Sequence, residues 1–252
     1  MNKKNTRWNL AQNYEKNWWS QHEQGISTTY FENSALELIE VYNQISKLTK
    51  NTRILEIGSG AFGIVNFISE SECRFGVDPL EYYYGSVAEF VGKREKNVKY
   101  ITGKGEELPF NESFDIIIMD NVLDHCEDPN RVINEVKRLS KKGTLVFFRQ
   151  NTYNWYGKMM RFFMELLTID KGHPFTFTKS NIRSFFSSDF ELRKKSRNGY
   201  FPTWIQELKS KSLKDKIKAL LFITRDKTTY YWINSSRLLK HPPMSDTVEN
   251  NS

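Results

Sequence analysis

The sequence predicts an α/β fold: a doubly wound seven-stranded sheet, mostly parallel with an antiparallel last strand, and helices on both faces. Three observations carry this. A short apolar run, Arg53 to Ile57, empties into the glycine-rich turn Gly58-Ser59-Gly60-Ala61-Phe62-Gly63, after which Ile64, Val65, Phe67 and Ile68 resume helical spacing. Strand-type runs then alternate with helical patterns, the signature of βαβ units. The stretch Ser113 to Asp120 is apolar almost throughout, as befits a central strand covered on both faces.

Residues 1–31 carry Trp8, Tyr14, Trp18, Trp19, Tyr30 and Phe31 among polar neighbours. Aromatics this dense are rarely left in water. They fit either an N-terminal helix packed on the sheet or a flap that closes over a ligand. From Asn33 the pattern is helical, with Leu36, Ile39, Ile45 and Leu48 on one face and Asn33 or Ser34 able to cap the start. The strands follow as Arg53–Ile57, Arg74–Val77 ending at Asp78, Val98–Thr102, Ser113–Asp120 and Thr144–Phe148. Before the fifth, Asp128-Pro129 opens a helix whose apolar face is Val132, Ile133, Val136 and Leu139. Trp155 to Ile169 is a helix rich in methionine and aromatics, suited to core or to a cap over a pocket. A helix from Lys179 to Ser187 leads to a sixth strand, Asp189–Leu192. The insertion 199–223 holds a lysine-studded helix, Glu207 to Leu221, and Thr228–Ile233 is the last, antiparallel strand. The expected organisation is an N-terminal helical cap over 1–50, a ligand-binding core over 51–150, the rest of the core with insertions over 151–240, and a disordered tail over 241–252.

The 252 residues suffice for one α/β domain with insertions. No run reaches the roughly 18 apolar residues of a membrane span, and the start lacks a signal-peptide core, so a cytoplasmic protein is expected. Cys73 and Cys126 show neither disulfide nor zinc spacing. Net charge is +7 but uneven: residues 151–240 hold eighteen Lys or Arg against seven Asp or Glu, +11, which leaves −4 for the remainder. The basic half fits an acidic substrate, a nucleic acid, weak contact with an anionic membrane surface, or plain solvation.

The glycine turn is where a nucleotide-type cofactor is expected, because glycine lets the backbone approach the ligand. Its Gly58-x-Gly60-x-x-Gly63 spacing alone also fits NAD enzymes. Asp78, twenty residues after Gly58, stands where a carboxylate accepts both ribose hydroxyls. Tyr82, Tyr83 and Tyr84 follow it and could lie against the nucleoside.

Glu56 before the turn, Gly103-Lys104-Gly105-Glu106-Glu107-Leu108-Pro109-Phe110, Ser113-Phe114-Asp115 with its apolar strand, and Val122-Leu123-Asp124-His125 together resemble the class I S-adenosylmethionine-dependent methyltransferases. The resemblance is to the small-molecule group that includes ubiquinone and menaquinone biosynthesis enzymes, and it runs from about Arg53 to Phe148. It implies a Rossmann-like fold, S-adenosyl-L-methionine as cofactor, and transfer of its methyl group to a metabolite, lipid or saccharide intermediate by in-line displacement. Cofactor contacts would come from Glu56, Gly58, Ser59, Gly60, Gly63, Asp78, Pro79, Gly105, Glu106, Asp120 and Asn121. Phe62 stands where the family's third glycine belongs, Lys104 replaces an acid that contacts adenine, and Asn121 replaces the first histidine of an H-x-x-x-H pattern. His125 remains as the candidate base, with His173 of His173-Pro174 second. No metal is implied. RNA methylation by the basic half and a non-catalytic binding role are the alternatives; the segment Asp120-Asn121-Val122-Leu123 lacks the proline-aromatic pattern of base amino-group methylation.

Overall fold

The computed structural model describes residues 3–23, 25–166 and 174–235. Seven strands form one sheet in the order β3-β2-β1-β4-β5-β7-β6. They are β1 (Arg53–Ile57), β2 (Cys73–Asp78), β3 (Val98–Thr102), β4 (Phe114–Asp120), β5 (Ser140–Thr152), β6 (Phe190–Arg197) and β7 (Asp226–Asn234). Strand β7 runs antiparallel between β5 and β6, as expected, and the other pairings of the sheet are parallel.

Strand alternation splits the core between two faces. Leu55, Ile57, Ile117, Met119, Val146 and Phe148 face α5 (Pro129–Leu139) and α7 (Lys179–Phe186) through Val132, Val136, Ile182 and Phe186. Ile54, Ile116, Ile118, Leu145, Phe147 and Tyr231 face the opposite way, against Leu38, Val41 and Tyr42 of α2 (Thr29–Asn43) and against Ile64, Val65 and Ile68. Asp128 caps α5 by accepting amides from Asn130 and Arg131 with Pro129 in the first turn, and Thr178 and Asn181 form a capping box on α7.

Several elements depart from the sequence reading. The expected helix after the glycine turn is a single 3-10 turn, Val65–Phe67. Gly58, Gly60 and Gly63 all have positive φ, so a right-handed helix cannot start before residue 64. The buried Glu56 accepts the Val65 amide at 2.7 Å, and Arg74 donates to the carbonyls of Val65 and Asn66, so the turn's polar groups are satisfied without another helical turn. Helix α2 begins at Thr29, ahead of Asn33, because Ser34 Oγ is spent on the Tyr30 carbonyl. It stops at Asn43, whose Oδ1 takes the Leu48 amide. The insertion holds two helices, α8 (Tyr200–Lys209) and α9 (Leu213–Leu220), split where Ser212 caps α9 by accepting the Asp215 amide.

Helix α1 (Lys3–Gln21) crosses the carboxyl edge of the sheet, and α6 (Trp155–Leu166) follows β5. Short helices α3 (Glu81–Tyr84) and α4 (Ala88–Val91) complete the β2–β3 connection. The expected end of the 155–169 helix and the tail 241–252 lie outside the described residues.

Candidate active site

Strand order reverses between β1 and β4, the point where an open α/β sheet leaves a crevice at its carboxyl edge. A cleft of about 1070 Å³ opens there, at the upper end of the range of ligand pockets. Glu56, Gly58, Ser59 and Gly60 line it from β1, Asp78 and Pro79 from β2, Gly105 and Glu106 from the loop after β3, and Asp120, Asn121 and His125 from the end of β4. Eleven of the thirteen residues singled out from sequence thus meet at one wall.

Gly63 does not. A β-carbon there would lie 2.4 Å from Glu56 Oε2, so this glycine makes room for the buried carboxyl rather than for a ligand. His173 lies outside the described residues. Phe62 is turned away from the cleft into a cluster with Trp19, Leu80, Tyr84 and Phe90, while Trp19 packs closely against Gly60 of the turn.

Burial drives the electrostatics. Burial raises the Glu56 pKa to about 8 against the Val65 and Ile64 amides, and that of Asp78 to about 6 against the amides of Leu80 and Gly60. Asp78 accepts Gly60 N–H at 2.9 Å on one oxygen and Leu80 N–H at 2.8 Å on the other, so each oxygen keeps a second acceptor direction for a diol. Glu106 Oε1 accepts the amides of Glu127 and Asp128, tying the β3 loop to the start of α5. Lys104 pairs with Glu127 at 2.8 Å and sits 4.1 Å from the Trp8 ring centre. Asn121, at φ 59°, turns its Oδ1 to Asn151 and Gln150 and exposes its backbone to the cleft. The His125 carbonyl accepts from Gln12, and its Nε2 lies 3.9 Å from Asp124 Oδ1. The Cys126 thiol donates to the Leu123 carbonyl, and burial raises its pKa, which makes it a poor nucleophile.

Helix α1 both packs and roofs. Trp19 is buried against Phe62, Tyr84 and Phe90, while Trp8, Gln12, Glu15 and Trp18 line the cleft. Sequence reasoning missed a second group. Tyr30 OH donates to Asp120 Oδ2 at 2.6 Å, Arg149 Nη1 donates to Tyr30 OH at 2.7 Å and to Asp120 at 3.1 Å, and Lys227 also reaches Tyr30 OH. The available signal was Arg149 ending the apolar run Leu145–Phe148, since a charge directly after a buried strand needs a partner. Among the described residues no group of three or more His, Cys, Asp or Glu is placed to hold a metal ion.

The residues present fit a nucleoside-bearing sulfonium: Gly58 and Gly60 at positive φ line the cleft with Val122 and Trp19 packed close against them, and Asp78 offers paired acceptors. Comparison with known proteins agrees. The family model described as "Methyltransferase domain" matches residues 55–148. An uncharacterised protein of Methanocaldococcus jannaschii is 36% identical over 92 residues, 36% of this chain and 40% of that protein. A ubiquinone biosynthesis O-methyltransferase of Pelagibacter ubique is 29% identical over 106 residues, 40% of this chain and 42% of that one. The chain therefore spans about two fifths of the curated relatives it matches. In fold it is similar to the N-methyltransferase NodS of Bradyrhizobium japonicum, solved with S-adenosyl-L-homocysteine, with a TM-score of 0.53 at 14% identity over 82% of this chain and 88% of that one. Residues 55–148 thus match a methyltransferase domain model and sit within a sheet of order β3-β2-β1-β4-β5-β7-β6.

Proposed function

We propose that the protein binds S-adenosylmethionine in this cleft and transfers its methyl group to a small-molecule acceptor. One observation carries the reading: the glycine loop and Asp78 converge on the β1–β4 crevice inside the matched domain. Asp78 would hold the ribose hydroxyls, the backbone at Gly58–Gly60 would take the amino-acid end, and the Gly105–Glu106 loop would flank the adenine. The cofactor supplies an electrophilic methyl carbon on a positively charged sulfur.

Little covalent work is then left to the chain. It must align the acceptor with the methyl carbon and keep water away, and the α1 roof, with Trp8, Trp18 and Trp19, serves the second need. His125 lines the same cleft and is the residue placed to take a proton from an acceptor hydroxyl or ammonium. The similarity to a ubiquinone biosynthesis O-methyltransferase supports a small acceptor.

Calorimetric titration of the purified protein with S-adenosylmethionine, S-adenosylhomocysteine and NADH tests the proposal. Micromolar binding of the first two and none of NADH is expected. Binding of NADH alone, or of none of the three, would overturn it.

A further inference from the structure

The acceptor end of the cleft is lined from β7, and its charges do not balance. In a strand, side chains alternate between faces. Asp226 is buried and spent away from the cleft on Lys179 Nζ and the Gly199 amide, whereas Arg225 before it and Lys227 after it both line the cleft. Lys227 pairs in register with Asn151, a further cleft residue, and its polar contact is the phenol of Tyr30, not a carboxylate. Arg225 makes no hydrogen bond or ion pair among the described residues. Behind them lies Arg149.

The acids nearby are already committed. Asp120 Oδ2 takes both Tyr30 and Arg149. Asp215 on α9 lines the cleft beside Lys218 and accepts from Ser210. Glu207 on α8 is buried, and burial raises its pKa against Thr224, Arg225 and Lys218. Burial lowers the Lys227 pKa; Asp120 opposes this, while Arg149 and Arg225 add to it. Lys227 is partly desolvated, has Arg225 and Arg149 near it and, among the described residues, no ion pair of its own, and a bound anion relieves that cost.

We infer that the methyl acceptor carries an anionic group, a phosphate or a carboxylate, and that Lys227 and Arg225, backed by Arg149, form the subsite that receives it. This rests on the methyl-transfer reading, because it assigns the remaining part of the same cleft to the acceptor. Arg225 supplies a planar fork suited to two oxygens, and Lys227 a point charge deeper in the wall. The acceptor is thereby held by its charged end, on the β7 side of His125 and Asn121.

The test is calorimetry at constant ionic strength on protein saturated with S-adenosylhomocysteine, with inorganic pyrophosphate and succinate as the phosphate and carboxylate probes. Wild-type protein is compared with Arg225→Ala, Lys227→Met and, as a distant charge control, Lys142→Ala. Binding of at least one probe is expected, weakened about tenfold or more in each of the first two variants and unchanged in the third. The probe that binds more tightly names the anion class. Failure of both probes to bind wild type, or equal loss in the Lys142 variant, overturns the subsite. S-adenosylhomocysteine affinity, measured first on each protein, separates the two readings: if it is absent from wild type, the cofactor assignment fails, and if it is intact while anions do not bind, only the subsite fails. Arg225→Ala alters an exposed side chain, so its result stands even if Lys227→Met folds poorly.

Discussion

Asp78 and Glu56 are both buried carboxyls with raised pKa values, yet they do different things. Asp78 lines the cleft, and replacing it with Ala should weaken S-adenosylhomocysteine binding by about 1–3 kcal/mol; unchanged affinity by calorimetry would refute its proposed ribose role. Glu56 holds the turn through Val65. Its folded-state pKa of about 8 lies above its ordinary 4.5. The folded form therefore binds the proton more tightly, and this group's contribution is full below the ordinary value and fades as pH rises through the folded one. Urea denaturation should show the protein less stable at about pH 8.5 than at about pH 5.5, with a smaller difference for Glu56→Gln, which mimics the protonated side chain. An identical difference in both proteins would remove Glu56 as the source. Gly63 belongs to the same unit: with φ 65° and Glu56 directly beneath, Gly63→Ala should cost about 1–3 kcal/mol in the same measurement.

Elements whose signals are local were legible. Strands β1, β3 and β4 follow from short apolar runs, and α5 from Asp128-Pro129 and its four-residue apolar spacing. What could not be read depends on distant partners. Ile64 to Ile68 have helical spacing, but Gly63 and the Glu56 carboxyl cut the helix short, and α2 supplies the cover on that face. The break between α8 and α9 did leave a trace, Ser212 followed three residues later by Asp215, a capping pattern outweighed by the even spread of lysines. Of the candidate site, the glycine turn, Asp78 and the loop after β3 were visible because ligand and loop lie close in sequence. Tyr30, Arg149 and Lys227 were not, because three separate elements bring them together. Helix α1 is anchored by few buried side chains, chiefly Ala11 and Trp19. Trp19→Ala should therefore destabilise the fold by about 3 kcal/mol and weaken S-adenosylhomocysteine binding as well. Loss of stability with full affinity would show that α1 is packing only.

For the molecule as a whole, the charge asymmetry has a partial structural account. Strand β6 is the outer edge of the sheet beyond β7, and Arg193, Lys194 and Arg197 are exposed on it. Charged edges discourage pairing with a second sheet. Replacing Arg193 and Arg197 with Val should produce concentration-dependent association in light scattering, and a strictly monodisperse variant would argue that these cations serve something else. Further positive charge lies on α9 and at Arg225 and Lys227, beside the cleft. The contact between Tyr30 and Lys227 spans 197 positions of the chain, and β5 gains its second neighbour from β7. On the ribosome, where domains emerge from the amino end at about 5–20 residues per second, α1, α2 and the first five strands must wait roughly 4–15 seconds for the segment that completes the proposed acceptor wall. Until then β5 has a bare side, and the nascent cleft lacks its β7 wall.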